Sequence, residues 1–168
     1  MRRTIIAILL ALALAVIPAA NAFAAKTADV TVTATGAKLS IAITAGSPHD
    51  FGTVLESDTV ASALTQFTLT NNGTVAADIV IHGHNSTVGG GGTLWTLADA
   101  PGTDTYAMQF SRNSAPGWTV IKTTDVTYMS NLAALGTDQF GLQLSTPTSI
   151  TDTTNQQTML VTLTASKH

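Results

Sequence analysis

The sequence predicts an all-β protein, a two-sheet antiparallel sandwich of about eight or nine strands. Three observations predict it. Apolar and polar residues alternate with period two at short intervals, as half-buried strands require. Clusters of Gly, Pro and Asn separate these runs at the spacing of antiparallel strands. Threonine, whose branched side chain fits a pleated surface and tolerates solvent without charge, fills 29 of the residues from position 25 onward.

The first segment reads as an address label. Arg2 and Arg3 precede an apolar run from Ile5 to Ile17, followed by Pro18 and small residues ending in Ala22-Phe23-Ala24. That is the layout of a secretory signal peptide over residues 1–24, cleaved after Ala24, with Ala22 as the near alternative. The apolar run is shorter than the roughly 20 residues that a membrane-spanning helix needs, so no transmembrane segment is expected in the mature chain. Residues 25–168 then make one domain, long enough to bury a core.

The strands follow in order. Val30, Val32 and Ala34 alternate with threonines, and after Gly36 the pattern resumes with Leu39, Ile41 and Ile43. The stretch 25–44 is therefore an extended arm, able to pair within its own domain or to serve as an exchange strand on another chain's open edge. Between Asp29 and Asp50 only Lys38 carries charge, so little guards that arm against strand addition. Further runs place Phe67 with Leu69, Ala77 with Ile79 and Ile81, then Leu94 to Leu97. Tyr106, Met108 and Phe110 follow, then Trp118 to Ile121, then Phe140, Leu142 and Leu144, and finally Met159, Val161 and Leu163.

Turn formers lie between them at Gly46-Ser47-Pro48, Asn71-Asn72-Gly73, Gly89 to Gly92, Pro101-Gly102, Ala115-Pro116-Gly117 and Thr146-Pro147. Asn71-Asn72-Gly73 between two alternating runs predicts a hairpin, because Asn and Gly tolerate the positive φ of tight turns. The four glycines predict a mobile loop. Ser130 to Leu135 is the nearest approach to a helical pattern, a turn or two leading into Gly136.

Charge and composition exclude several functions. Without Arg2 and Arg3 five basic residues face ten acidic ones, which leaves nothing to neutralise a run of phosphates, so nucleic acid is excluded as a partner. Cysteine is absent, so an exported fold must hold by packing and strand pairing alone. There is one glutamate, Glu56, no Gly-x-Ser-x-Gly elbow in the mature chain and no matched acid and base, so the reading is of a non-enzyme without catalytic residues or cofactor.

His82 and His84, two apart on a strand, share a face and can approach a metal together with His49 or Asp50, but two donors without a clear third make a poor zinc site, and no metal is expected. The aspartates at 99, 104, 125, 138 and 152 are scattered, with no Asp-x-Asp-x-Asp-Gly loop for calcium. Asn72 and Asn85 head Asn-x-Thr sequons and are candidate glycosylation acceptors as well as ordinary turn and loop residues. Trp95, Trp118 and Tyr106 are either core anchors or an aromatic platform for sugar rings.

Asp50-Phe51-Gly52-Thr53-Val54, a polar bridge, and Phe67-Thr68-Leu69-Thr70-Asn71-Asn72-Gly73-Thr74 together resemble the opening of Hydin-type immunoglobulin-like repeats of bacterial surface proteins. The same stretch is similar to the strand-turn-strand of secreted matrix-fibre subunits of the TasA and camelysin type. Glu56-Ser57 stands where that fibre family has a Pro-Gly-Asp turn, and the mature chain is shorter than typical members. The resemblance, over about 35 residues, implies an immunoglobulin-like sandwich at the cell surface or in the extracellular matrix.

The expected function is a secreted or cell-surface structural subunit, a homo-oligomer or polymer built by β-strand addition, with Val30, Val32 and Ala34 as the assembly strand. The alternative is a secreted immunoglobulin-like binding module for glycans or matrix polymers.

Overall fold

The computed structural model describes residues 30–168. The expected leader, residues 1–24, and the start of the arm, residues 25–29, lie outside the described residues. The chain divides into two units, Met1–Thr35 and Gly36–His168.

The second unit is all-β, with no helix among the described residues. Its twelve strands are β1 (Ile41–Ala45), β2 (Thr59–Ala61), β3 (Phe67–Asn71), β4 (Ala77–Gly83), β5 (Thr87–Val88), β6 (Thr96–Leu97), β7 (Thr105–Arg112), β8 (Ala115–Ile121), β9 (Val126–Leu132), β10 (Thr137–Ser145), β11 (Gln157–Thr158) and β12 (Val161–Lys167). The large sheet runs β1-β3-β10-β7-β6, with β2 also on β10 and β8 also on β7. A second sheet has the order β12-β4-β9, and β5 pairs with β11. The ladders are antiparallel except for the short β6–β7 pair.

Side chains two apart on a strand share a face, so the alternating runs translate directly into buried rows. Phe67 and Leu69 are buried on β3, Ala77, Ile79 and Ile81 on β4, Tyr106, Met108 and Phe110 on β7, and Phe140, Leu142 and Leu144 on β10. Rows from both larger sheets join one core with Trp95, Leu97, Ile121, Tyr128 and Leu132, an arrangement consistent with a β-sandwich.

Several local expectations are corrected. Asn71-Asn72-Gly73 is not a hairpin. Both edges of β3 are already taken, by β1 and β10, whereas β4 lies between β12 and β9, so this turn carries the chain from one sheet to the other. Asn71 is fully buried; its Oδ1 accepts from Gly73 N at 2.8 Å, and its Nδ2 faces the carbonyls of Val75, Leu132 and Ala133 at 2.9–3.0 Å. Glycine is needed at 73 for space: a Cβ there would stand 2.5 Å from the carbonyl oxygen of Lys38. Asn71→Ala leaves these buried groups unsatisfied and lowers stability by roughly 1–3 kcal/mol, measured as a fall in the urea midpoint.

Ser130 to Leu135 is not helical either, since residues up to Leu132 complete β9 and the chain turns at Leu135 with φ 60°. Ala115-Pro116-Gly117 begins β8 instead of forming the turn, which falls one step earlier at Asn113-Ser114. Leu94 and Trp95 precede a strand of only two residues, β6. Four of the twelve strands were not expected: β2, β5 and β11, two or three residues each and too short to show a period, and β9, whose buried positions do not alternate; the run Val30–Ala34 forms no strand.

The chain passes from β8 in the large sheet to β9 in the second through Lys122–Asp125. Nearby, the Asp138 carboxylate accepts from Arg112 Nε and Tyr128 Oη at 2.7 Å and from Ser114 Oγ at 2.8 Å. Tyr128 belongs to β9 while Arg112 and Asp138 belong to the large sheet, so this buried network ties the sheets together.

Both tyrosines are buried and neutral. Burial pushes the Tyr106 phenol up to about 12. Burial, then the hydrogen bond to Asp138, also raises Tyr128. The folded protein therefore shows little tyrosinate absorbance at about pH 11, where the urea-unfolded chain, with ordinary phenols near 10, is mostly ionised. Since the folded values are raised, this contribution to stability is complete below about pH 10 and is lost as pH rises through the folded values.

Candidate functional site

A cavity of about 1140 Å³ lies between the apolar face of the large sheet and strand β12. The large sheet supplies Phe67, Met108, Phe140, Leu142 and Leu144 to its wall, and β12 supplies Val161 and Leu163. These are alternate residues of their strands, so the cleft is a continuation of the core lacking one layer of side chains.

Two loops flank it. The segment Ser47–Leu55 runs along one rim, where the Asp50 carboxylate accepts from Gly52 N at 2.8 Å and Gly52 takes a positive φ of 73°. This tight turn presents Phe51, whose ring meets His49 edge-on at 4.8 Å, while His49 in turn meets Phe67 at 5.7 Å. The Phe-Gly pair of the sequence thus belongs to a rim loop. The second rim is Asp152–Leu160. It is held by its own polar contacts: Asp152 accepts from Asn155 Nδ2, Thr154 N and Thr154 Oγ1 at 2.9–3.0 Å, which lowers its carboxyl to about 2. The glycine loop lies against this segment, forming a smaller concavity of about 390 Å³ with Gly90–Gly92 on its other side.

Strand β12 borders the cavity with an unprotected edge. It pairs with β4 along its whole length, from Val161 opposite Gly83 to Lys167 opposite Ala77, and among the described residues no strand occupies its other side. Exposed edges are usually blunted by charge, proline or a bulge. Here the seven residues Val-Thr-Leu-Thr-Ala-Ser-Lys carry a single charge, at the last position.

The predicted assembly residues fall outside the strands. Val30 and Val32 are each 84% exposed, and Ala34 is exposed as well. The stretch 25–44 is divided by the structure: Ile41–Ala45 pairs in its own sheet, with Ile41 opposite Asn71 and Ile43 opposite Leu69, whereas residues 30–40 form no strand.

The remaining candidates are not gathered into a site. His82 lies on β4 and His84 just past its end; their rings are 5.0 Å apart, but each has its own partner: Asp125 Oδ1 at 2.9 Å from His82 Nδ1, and Thr162 Oγ1 at 3.2 Å from His84 Nε2. His49 lies instead on the cavity rim. Among the described residues no group of three or more His, Asp or Glu side chains is placed to hold a metal. Asn72 is exposed in the crossover turn. Asn85 is exposed too, though its Oδ1 accepts from Leu97 N at 3.0 Å, and Ser86 beside it is buried. The aromatic platform does not form: Trp95 and Tyr106 are core residues, and only Trp118, 39% exposed, reaches solvent.

Sequence reasoning missed both the cavity and the free edge of β12. The only signal was the low charge of the last strand, since the gap is created by the pairing order of distant segments. Comparison with known proteins finds no matching family model, no similar curated protein and no similar solved structure.

Proposed function

We propose that this chain is a secreted or cell-surface structural subunit that polymerises by strand addition, the arm Lys26–Ala37 of one copy entering the cleft beside β12 of the next. The observation that carries this reading is the coincidence, in one chain, of a nearly uncharged free edge over an apolar cavity and an exposed arm of alternating valines. An added strand satisfies the edge through its main chain and fills the pockets with every second side chain. Val30, Val32 and Ala34 are the side chains suited to that role. At about 3.3 Å per residue the arm spans roughly 40 Å, more than the length of β12.

Export by a signal peptide and an immunoglobulin-like type of sandwich belong to the same reading. Both fit a cysteine-free, threonine-rich chain whose ionisable groups are few, with the pair Asp138 and Arg112 engaged in a structural contact. Electron microscopy of the purified mature protein over a concentration series tests it. Filaments or ladders that vanish when residues 25–36 are deleted are the expected result. A protein that stays monomeric at high concentration, with stability unchanged by the deletion, overturns the proposal.

A further inference from the structure

Residues 30–35 of the arm, Val-Thr-Val-Thr-Ala-Thr, repeat the order of residues 161–166 in β12, Val-Thr-Leu-Thr-Ala-Ser. Four of the six positions are identical and the other two exchange Val for Leu and Thr for Ser, so the arm carries the same apolar row and the same hydroxyl row as β12. The free edge of β12 has a definite parity. His84 N donates to Leu160 O at 3.1 Å and His168 N to Ala76 O at 3.2 Å, and the ladder between these bonds runs without a shift. Even-numbered residues of β12 therefore bond to β4 through their main chains, while Val161, Leu163 and Ala165 turn their N–H and C=O groups to the open edge. The same three residues pack their side chains against the core, and of them Val161 and Leu163 wall the cavity.

We infer that the arm of the neighbouring copy lies parallel to β12 and in register with it, Val30 beside Val161, Val32 beside Leu163 and Ala34 beside Ala165. This rests on the strand-addition reading of the same cleft and gives it a direction and an alignment. A slip of one residue sends the whole apolar row to solvent, so only slips of two compete. Slid by two one way, the parallel arm carries Val32 to Ala165, past the end of the cavity; slid the other way, it brings Lys38 directly beside Lys167. An antiparallel arm with Val32 opposite Leu163 moves Val30 to Ala165 and leaves the smaller Ala34 at Val161. Sliding that arm to return both valines to Val161 and Leu163 sets Lys26 opposite Lys167. Like charges facing each other across a ladder are destabilising. The parallel in-register arm avoids both faults: its valines enter the cavity, Gly36 falls beside Lys167, and Thr31, Thr33 and Thr35 stand beside Thr162, Thr164 and Ser166 on the outer face, where hydroxyl pairs across strands add stability.

The chain has no cysteine of its own, so disulfide trapping reads the alignment directly. Two acceptor proteins, mature chains disabled as donors by Val30→Asp and Val32→Asp, carry Thr164→Cys or Ser166→Cys, both at exposed positions. Each is mixed with mature donor chains carrying Asp29→Cys, Thr31→Cys, Thr33→Cys or Thr35→Cys, and the rate of cross-linking is followed on non-reducing gels. A disulfide needs Cα atoms within roughly 4.4–6.8 Å, which favours side-by-side residues. The expected result is that Thr164→Cys links to Thr33→Cys, and Ser166→Cys to Thr35→Cys, about tenfold faster than either links to the other donors. A fastest partner that moves down the arm as the acceptor moves up β12, a partner displaced by two residues, or no preference among the four donors overturns the inference and leaves strand addition standing. Rates with all four no higher than with a donor carrying Asn72→Cys remove strand addition at β12 as well.

Discussion

Asp138→Ala lowers the free energy of unfolding by roughly 3–5 kcal/mol, the range found when one partner of a buried ion pair is removed. The substitution strips Arg112, Ser114 and Tyr128 of their common acceptor at once. The Arg112 side chain, 20% exposed, then keeps its charge in a poorly solvated position with its counter-ion gone. Urea unfolding checks this as a lower midpoint with an unchanged slope. Replacing both members, Arg112→Met with Asp138→Leu, costs less than Asp138→Ala alone, because no uncompensated charge remains.

The network also has a pH signature. Burial by itself would raise the Asp138 carboxyl, but the hydrogen bonds from Arg112, Tyr128 and Ser114 outweigh it and hold the group below the usual carboxylate range. A carboxylate depressed in the fold stabilises above its unfolded value, near 3.9, and that stabilisation disappears as pH falls through the folded value. The acid limb of the stability profile is accordingly shallower in Asp138→Ala than in the parent protein.

If the proposed strand addition holds, Val30→Asp combined with Val32→Asp is expected to raise the assembly threshold sharply and to leave the subunit folded. Burying a valine is worth about 1.5–3 kcal/mol, so two valines withheld from the cleft forfeit at least about 3 kcal/mol, and the concentration needed for assembly rises more than about 100-fold. Two carboxylates forced into an apolar wall add a desolvation penalty to that loss. The positions are solvent-exposed in the subunit, so its thermal unfolding below the assembly threshold is unchanged. Sedimentation of parent and variant across a concentration series reads both quantities. Assembly of the variant at the parent's threshold would show that the valines do not fill a neighbour's cleft.

Part of the site was legible in the residues. The rows Phe67–Leu69 and Phe140–Leu142–Leu144 follow from alternation alone, and Phe67, Phe140, Leu142 and Leu144 line the cleft. Strand β9 was missed because its exposed and buried positions do not alternate cleanly, with Val126, Tyr128 and Leu132 turned toward the core across two register shifts in its pairing with β4. Asn71-Asn72-Gly73 misled for a different reason. The residues that suit a hairpin also suit any tight reversal, and only the occupied edges of β3 forbid direct pairing with β4.

The sequence by itself determined that the described domain is all-β, which residues of most long strands face inward, and that ionisable groups are few. These are local properties: the pleat sends successive side chains to opposite faces whatever the strand pairs with. The tertiary structure alone decided which strands are neighbours, that Asp138 joins Arg112 to Tyr128 between the two sheets, and that β12 borders a cleft. Those outcomes depend on segments dozens of residues apart meeting at one place, and a pattern of period two carries no label saying which strand its edge will meet.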